Sequence, residues 1–597
     1  MSDKRIEDYA LIGDGETAAL VHRNGTIDWL CLPRFDSEAC FAALLGDDEN
    51  GCWHLRFEGE TGRSRSYRDG SLILETEITC SQGKARQIDF MPMRAQVPRI
   101  VRIVECLEGE VSVRNEMRLR FDYGRIHPLV RGAGDGCVMA ISGPNAVSLE
   151  FDVPIEFADR RFASAQRLGA GERACYALTW FPSHEETPAR IDPSEELGST
   201  ETFWREWSGN ITRDGRYSAM IARSLITLKA LMFTPTGGMV AAPTASLPEQ
   251  PGGERNWDYR FCWLRDATFT LLALTRWGLD DEARDWIKWL RRTVGGEPID
   301  LQPFYLVDGE RRAIEWQAGW LHGFNGAQPV RFGNRAEDQL QLDIYGEVID
   351  SLYQASKEGV GDDDDSDQLI RLLASRLEEV WQKPDAGIWE SRGEPRHHTY
   401  SKVMCWVAFD RASAWLEQRD TALSAHYRDL ARTVHAQVLD EGVDEERGCF
   451  VIAYGDTAVD ASALRIPLVG FLPADDLRVR ATVAAIETDL CRNGLFARYD
   501  TAATEDGVEG SEGAFVAVSF WLAEVYHMQG RIDDARTLFE RVLGRANDLG
   551  LLAEQLEFGG DRQLGNFPQG LSHIALLAAA DRMQRGRGGA REPAQSK

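Results

Sequence analysis

From Tyr217 almost to the end of the chain, apolar residues recur with the period of a helix, broken at short intervals by Gly, Pro and Asp. Eleven helices are predicted, over 217–233, 265–277, 280–296, 337–357, 366–382, 400–417, 421–439, 475–491, 512–528, 531–546 and 568–584, with a further short one near 461–470. Few strands fall between them. Such a chain folds as stacked helical hairpins, and six pairs closing on themselves would make an (α/α)6 barrel. No repeat of fixed length accompanies the pattern, so closure itself is not readable in the sequence.

Upstream the texture changes. Short apolar or alternating runs over 18–22, 71–79, 100–105, 111–121, 147–151 and 174–180 are separated by turn residues such as Asn24-Gly25. That spacing predicts an N-terminal β-sandwich over 1–192. The acidic stretch 193–216 is expected to link it to a helical domain over 217–585. The Gly-, Arg- and Pro-rich residues 586–597 are expected to form a disordered tail. The dense stretch 25–37 is expected to be a strand and turn packed on the second domain; an edge of the active site is the lesser expectation.

Charge excludes some partners. Asp and Glu number 95 against 67 Lys and Arg, a net charge of -28, which argues against nucleic acid and anionic membrane surfaces. No run of about 18 apolar residues suits a membrane span. The charged N-terminus has no apolar signal-peptide segment. The 11 cysteines are scattered without a Cys-x-x-Cys pair, as expected of free thiols in a reducing, cytoplasmic setting. The Asp-rich 361–367 lacks the central Gly and distal Glu of a calcium loop and reads as the start of a helix. His397-His398 has no third ligand at sensible spacing, so no metal site is expected.

Four inter-helix loops carry the chemistry. Trp263-Leu264-Arg265-Asp266 opens a helix, and an adjacent Arg and Asp offer fixed donors and acceptors to neighbouring hydroxyls. A capping Asp beside a surface Arg is the plainer alternative. In Trp389-Glu390 an aromatic neighbour would raise the carboxyl pKa, which suits a general acid. Arg498 is a hydroxyl-binding candidate. Glu509 and Glu512 downstream are reserve candidates for a catalytic carboxylate, with Glu347 a more distant one, though Glu509 and Glu512 equally suit the dipole of the next helix. In Leu552-Ala553-Glu554-Gln555 a carboxylate follows an apolar pair, as a general base at a helix end would. Taken alone, Glu554 is more readily a solvated loop residue. One such loop is ordinary; four suggest a sugar-sized cleft with two carboxylates across it.

These segments together resemble the trehalase-like and glucoamylase-like enzymes of glycoside hydrolase family 15. The front stretch 27–37 looks like the sandwich of bacterial trehalase-like members. Trp263-Leu264-Arg265-Asp266 is similar to the family's sugar-holding segment, as is the segment from Gly333-Asn334 through Gln339 and Asp343 to Glu347 to another of its signatures. Trp389-Glu390 matches the general-acid segment, Arg498-Tyr499 a sugar-binding arginine, and Glu554 the general base. Gly565-Asn566-Phe567-Pro568-Gln569 matches a bacterial signature. Ala553-Glu554-Gln555 is worded more like the glucoamylases, whereas many trehalase-like members have Ser-Glu-Glu there. The resemblance implies an inverting α-glucoside hydrolase with Glu390 and Glu554 as catalytic pair and Trp263, Arg265, Asp266, Trp389 and Arg498 around the sugar. It implies trehalose as first substrate, with maltose and malto-oligosaccharides as the alternative, and no cofactor. The sequence does not fix the oligomeric state, for which a homodimer is one option. A phosphorylase of the same architecture would need a phosphate pocket in place of Glu554, and a non-catalytic sugar-binding protein would need neither glutamate.

Overall fold

The computed structural model describes residues 4–134, 137–211, 215–296, 301–361 and 363–585. The expected tail, and residues 212–214 of the expected linker, lie outside them.

The N-terminal strands, from Tyr9–Gly13 to Arg173–Pro182, are antiparallel neighbours organised around one 20-residue strand, Arg99–Arg118. Its first half pairs with Gly83–Phe90 and Arg173–Pro182, and its second half with Cys52–Phe57 and Arg161–Gly169. It therefore runs out of one sheet into the other, as the corner of a sandwich requires. Gly109, at φ 67°, makes the turn between the halves, where Leu107 to Glu110 are exposed.

Residues expected as a linker instead carry helix α1, Pro193–Ser208. Asp192 caps it, accepting from the Ser194 and Glu195 amides, with Pro193 in the first turn. Trp204 is buried and Trp207 donates from Nε1 to Glu282 at 2.7 Å, so the segment is fastened to the helical domain.

Twelve more helices follow among the described residues: α2 Ser218–Leu231, α3 Ala267–Arg276, α4 Asp280–Val294, α5 Asp343–Lys357, α6 Asp364–Val380, α7 Thr399–Leu416, α8 Thr421–Glu441, α9 Arg465–Leu468, α10 Leu477–Asp489, α11 Val516–Met528, α12 Ile532–Leu543 and α13 Gly570–Arg585. Inside, α3 packs on α5, α5 on α7, and α7 on the 3-10 turn Ala461–Leu464 that leads into α9. That corner packs on α11, α11 on α13, and α13 returns to α3. The ring is closed. Outside it, α4, α6, α8, α10, α12 and α2 each back one inner element, completing an (α/α)6 barrel.

The sequence explains the two layers. The inner helices α7 and α11 are buried on nearly every face. The outer α4 is amphipathic, with Trp286, Trp289 and Leu290 turned inward, Asp280 to Glu282 in its first turn and Arg291 and Arg292 in its last. Three arginines inside the ring are paired: Arg465 with Glu347, Arg411 with Asp350 at 3.1 Å, Arg582 with Glu524 at 3.2 Å.

Two helices start later than their periodicity predicts. The one expected from 337 begins at Asp343, after a 3-10 turn, Arg335–Asp338, capped by Asn334. The one expected from 512 begins at Val516, because Ala514–Phe515 is drawn into a three-stranded sheet with Gln555–Leu556 and Gln563–Leu564. Tertiary pairing overrides local preference in that sheet.

The stretch 25–37 docks on the barrel. Trp29 donates from its indole to the Pro243 carbonyl at 2.8 Å, and Arg34 pairs with Asp308. Arg260 reaches back to the Ser37 carbonyl at 2.7 Å and the Tyr123 hydroxyl at 3.0 Å. The sandwich thus buttresses the segment Asn256 to Asp266.

Candidate active site

The three-stranded sheet places Glu554. Its amide donates to the Asn566 carbonyl at 3.2 Å and its carbonyl accepts from Val516 at 3.0 Å. On either side, Ser572 Oγ donates to the Ala553 carbonyl and the Gln563 side chain accepts from the Ala553 amide. The backbone here is fixed by the bacterial signature itself, with Asn566 Nδ2 donating to Trp257 and Thr244 Oγ1 to Asn566.

Glu554 is 1% exposed, which removes the solvated-loop alternative. Tyr259 donates from its hydroxyl to Glu554 Oε1 at 2.7 Å, while Oε2 has no hydrogen-bond partner in the structure. Burial pushes its carboxyl up to about 7; the Arg498 charge and the Tyr259 bond oppose the rise, and Glu390 adds to it. One oriented oxygen and one free oxygen, on a group that titrates near neutrality, is what a water-activating base needs.

Glu390 sits in the turn before α7 with φ 55°, a left-handed conformation uncommon for a glutamate. Arg265 contacts its carboxylate directly and also donates to the Ile388 carbonyl at 3.2 Å. Arg265 Nε donates to Asp266 Oδ1 at 2.9 Å, and the guanidinium lies 5.1 Å from the Trp263 ring. Arg265 and Asp266 are both buried, and the Asp266 side chain makes no cap to α3, so the cap-and-surface alternative fails. Burial raises the Glu390 carboxyl, while Arg265 and then Arg498 hold it down.

Arg498 is clamped between two carboxylates. It pairs with Glu512 through Nε and Nη2, and Nη2 reaches Glu249 Oε2 at 3.1 Å. Its guanidinium faces the Trp389 ring at 5.3 Å. Trp389 is steadied by its indole bond to Asp460 at 2.8 Å and its contact with Phe515. The Glu249 carboxyl is driven well above its usual range, first by burial, with Arg498 opposing and Glu554 and Glu512 adding to it.

These side chains converge. A pocket is lined by Trp389, Glu390, Arg498, Trp257, Tyr259 and Arg392, among others. Arg265 and Asp266 stand behind Glu390, Trp263 packs against Tyr259 with ring centres 6.1 Å apart, and Glu554 lies behind Tyr259. Aromatic walls with a few convergent polar groups suit a sugar.

Comparison with known proteins gives the family. Residues 215–581 match "Glycosyl hydrolases family 15", and residues 1–152 match "Trehalase-like, N-terminal".

The chain belongs to glycosyl hydrolase family 15.

It is similar to a trehalase of Mycolicibacterium smegmatis, 39% identical with 96% of this chain and 90% of that protein covered. A trehalase of Thermoplasma volcanium is 33% identical, with 97% and 94% covered. The fold is similar to that of a bacterial glucoamylase solved in complex with acarbose, at TM-score 0.76 and 13% identity, covering 99% of this chain and 95% of that one. The protein is a glycoside hydrolase.

The sequence motifs point to all three polar anchors of the site but not to several of their partners. Tyr259, Trp257 and Arg392 stand in the same loops without a motif of their own, and Glu249 and Asp460 lie outside those loops. Glu249 has no local signal, since only the fold brings it to Arg498. The reserve candidates are placed elsewhere or otherwise engaged: Glu509 is exposed, Glu512 pairs with Arg498, and Glu347 pairs with Arg465 inside the ring. At 361–367, Asp363 caps α6 and pairs with Arg291, as a helix-start loop does; Asp362 lies outside the described residues.

Two predictions belong to this family 15 site. A Cβ on Gly565, at φ 75°, would stand 2.5 Å from Glu554 Oε2 and 2.8 Å from its Cβ. Gly565→Ala is therefore expected to displace Glu554 and lower turnover by about 10²-fold, at a strain of about 1–3 kcal/mol. Steady-state kinetics and thermal melting check both; an unchanged turnover contradicts the packing described.

The second concerns pH. If Glu554 takes a proton in the reaction it must be ionised, so kcat/KM is then expected to fall on the acid side with an apparent pKa of about 7. Tyr259→Phe removes a bond that favours the carboxylate, so this limb should move to higher pH. A pH profile of both proteins decides it, and a limb moving down would contradict the assignment. Stability follows the same group. Its folded pKa lies above the usual 4.5, so its contribution to stability is complete below about 4.5 and is lost as pH rises through about 7.

Proposed function

We propose that the protein hydrolyses trehalose with inversion at the anomeric carbon. Glu390 gives a proton to the glycosidic oxygen, and Glu554 takes one from the water attacking the opposite face. The observation that carries the reading is the buried Glu554, oriented through one oxygen by Tyr259 and left free at the other. Arg265, Asp266 and Arg498 hold the hydroxyls of the non-reducing glucose, with Trp263 and Trp389 forming the apolar walls. Arg265 favours the Glu390 carboxylate; a sugar hydroxyl that draws Arg265 away lets desolvation raise Glu390 towards its protonated, acid form. The full-length likeness to two proteins named trehalase supports trehalose over other α-glucosides. The wording Ala553-Glu554-Gln555 favours the second reading, hydrolysis of maltose and malto-oligosaccharides.

The division of labour follows from the same proposal. On this reading the described residues within 1–192 are the buttressing sandwich and those within 217–585 the catalytic barrel. All 11 cysteines are free thiols, which supports a cytoplasmic setting, and no helix among the described residues is long and apolar enough to cross a membrane.

A substrate panel tests the reading. Trehalose, maltose, maltotriose and longer α-glucans are incubated with the protein with and without inorganic phosphate, and free glucose is measured. Rapid glucose release from trehalose without phosphate is expected. Glucose from the malto-oligosaccharides alone would move the assignment to the second reading, and sugar phosphate formation would overturn hydrolysis.

A further inference from the structure

Outside the lining of the barrel pocket, the sandwich gathers three side chains of metal-binding type. Cys52 opens the strand Cys52–Phe57, and His54 follows two residues later, so the strand period puts both on one face. Just before them, the 3-10 turn Asp48–Asn50 is pinned by a reciprocal cap between Asp47 and Asn50, which presents Asp48 to the same point. His54 Nε2 lies 3.1 Å from Cys52 Sγ and 3.1 Å from Asp48 Oδ2. Among the described residues this is the one group of three or more His, Cys, Asp or Glu side chains close enough to share an ion.

The surroundings fit ligation. His54 Nδ1 is bonded to Thr26 Oγ1 at 2.8 Å, which fixes the ring and aims Nε2 at the cluster. Cys52 and His54 are buried, whereas the Asp48 side chain is 47% exposed. Asp48 lines an open cleft between the sandwich and the loop from His322 to Gly326, so an ion has a way in. The nearby cations are engaged by other carboxylates, Lys4 by Asp28 at 3.5 Å and Arg118 by Glu49 at 3.0 Å and Glu116 at 2.6 Å.

We propose that Asp48, Cys52 and His54 form a binding site for one divalent ion of the zinc class, held by one sulfur, one nitrogen and one oxygen, with the fourth position open to water. Mixed thiolate, imidazole and carboxylate ligation favours zinc over magnesium or calcium, which prefer oxygen. Each ion entering displaces the Cys52 thiol proton, forming a metal–thiolate bond and releasing one proton to solvent. The ligand atoms must separate by a few tenths of an ångström to admit it, and half-exposed Asp48 sits on the turn that can yield. The ion would tie this turn to the sandwich and takes no part in sugar hydrolysis.

The test uses the full chain, reduced and stripped with chelator, and titrates it with zinc by calorimetry and with cobalt(II) by visible absorption. About one equivalent bound, a thiolate-to-cobalt charge-transfer band and about one proton released per ion are expected. Cys52→Ser should remove the band. Asp48→Asn, on a half-exposed side chain, should weaken binding without unfolding the protein, and Thr26→Val should weaken it about 10–100-fold. Glucoside hydrolysis by all three variants should match the unaltered protein. No saturable binding by the unaltered chain, or an undiminished band in Cys52→Ser, would overturn the site.

Discussion

Glu554→Gln and Glu390→Gln are each expected to lower turnover by roughly 10²–10⁴-fold while the protein keeps its fold. Gln is close to isosteric with Glu. At 554 it still accepts the Tyr259 hydroxyl bond, and it introduces no charge into a buried site. What it cannot do is take a proton from water. At 390 the amide cannot deliver one to a leaving oxygen. The two losses are separable. With α-glucosyl fluoride, whose leaving group needs little protonation, Glu390→Gln should recover much of its rate and Glu554→Gln should not. Near-normal turnover of trehalose by either variant removes that residue from the mechanism, and recovery of the Glu554 variant instead would exchange the two roles.

The second large effect is expected at Arg498. Arg498→Met fills much of the same volume but leaves Glu249 and Glu512 buried side by side without their cation. Breaking a buried pair in this way costs about 3–5 kcal/mol. The effect reaches the chemistry as well. Arg498 is the largest of the influences that hold Glu554 down, so its loss should raise the Glu554 carboxyl further and shift the acid limb of activity upward. A double variant, Arg498→Met with Glu512→Gln, should regain part of the stability because one stranded carboxylate is gone. It should not regain sugar affinity. Chemical denaturation together with a pH profile measures both; a double variant no more stable than the single one would contradict the clamp.

Much of this arrangement is legible in the sequence, and the reason is local. The helices of the barrel announce themselves because each has an apolar face at the period of a helix, and the observed α2 to α13 fall close to the predicted spans. Trp263, Arg265, Asp266, Trp389, Glu390, Arg498 and Glu554 are legible because each sits in a short distinctive loop. What escapes is whatever depends on two distant segments meeting. Ring closure requires α13 to return to α3 across about half the chain, and no residue in either helix records it. Glu249 is an ordinary glutamate after a proline until Arg498 arrives beside it. The late start of α11 has the same origin, because Phe515 pairs with Gln555 across a strand that local preference does not contain. The acidic stretch at 193–208 reads as linker because its charges dominate, yet Asp192, Pro193 and the buried Trp204 are an ordinary helix start and anchor. Asp48, Cys52 and His54 escape for a similar reason: the strand period aligns two of them, but only the folded turn adds the third.

The most direct test of the central claim is the anomeric configuration of the first glucose formed. If water activated by Glu554 attacks the face opposite the leaving group, the reaction is a single displacement. Trehalose should then yield, before mutarotation, one β-glucose from the attacked ring and one α-glucose from the ring that leaves. Proton NMR in the first moments of hydrolysis resolves the two anomers. Equal β and α signals are the predicted result. An initial product that is α-glucose alone would mean a double displacement with a carboxylate as nucleophile, and would contradict the roles assigned to Glu390 and Glu554 even if both proved essential.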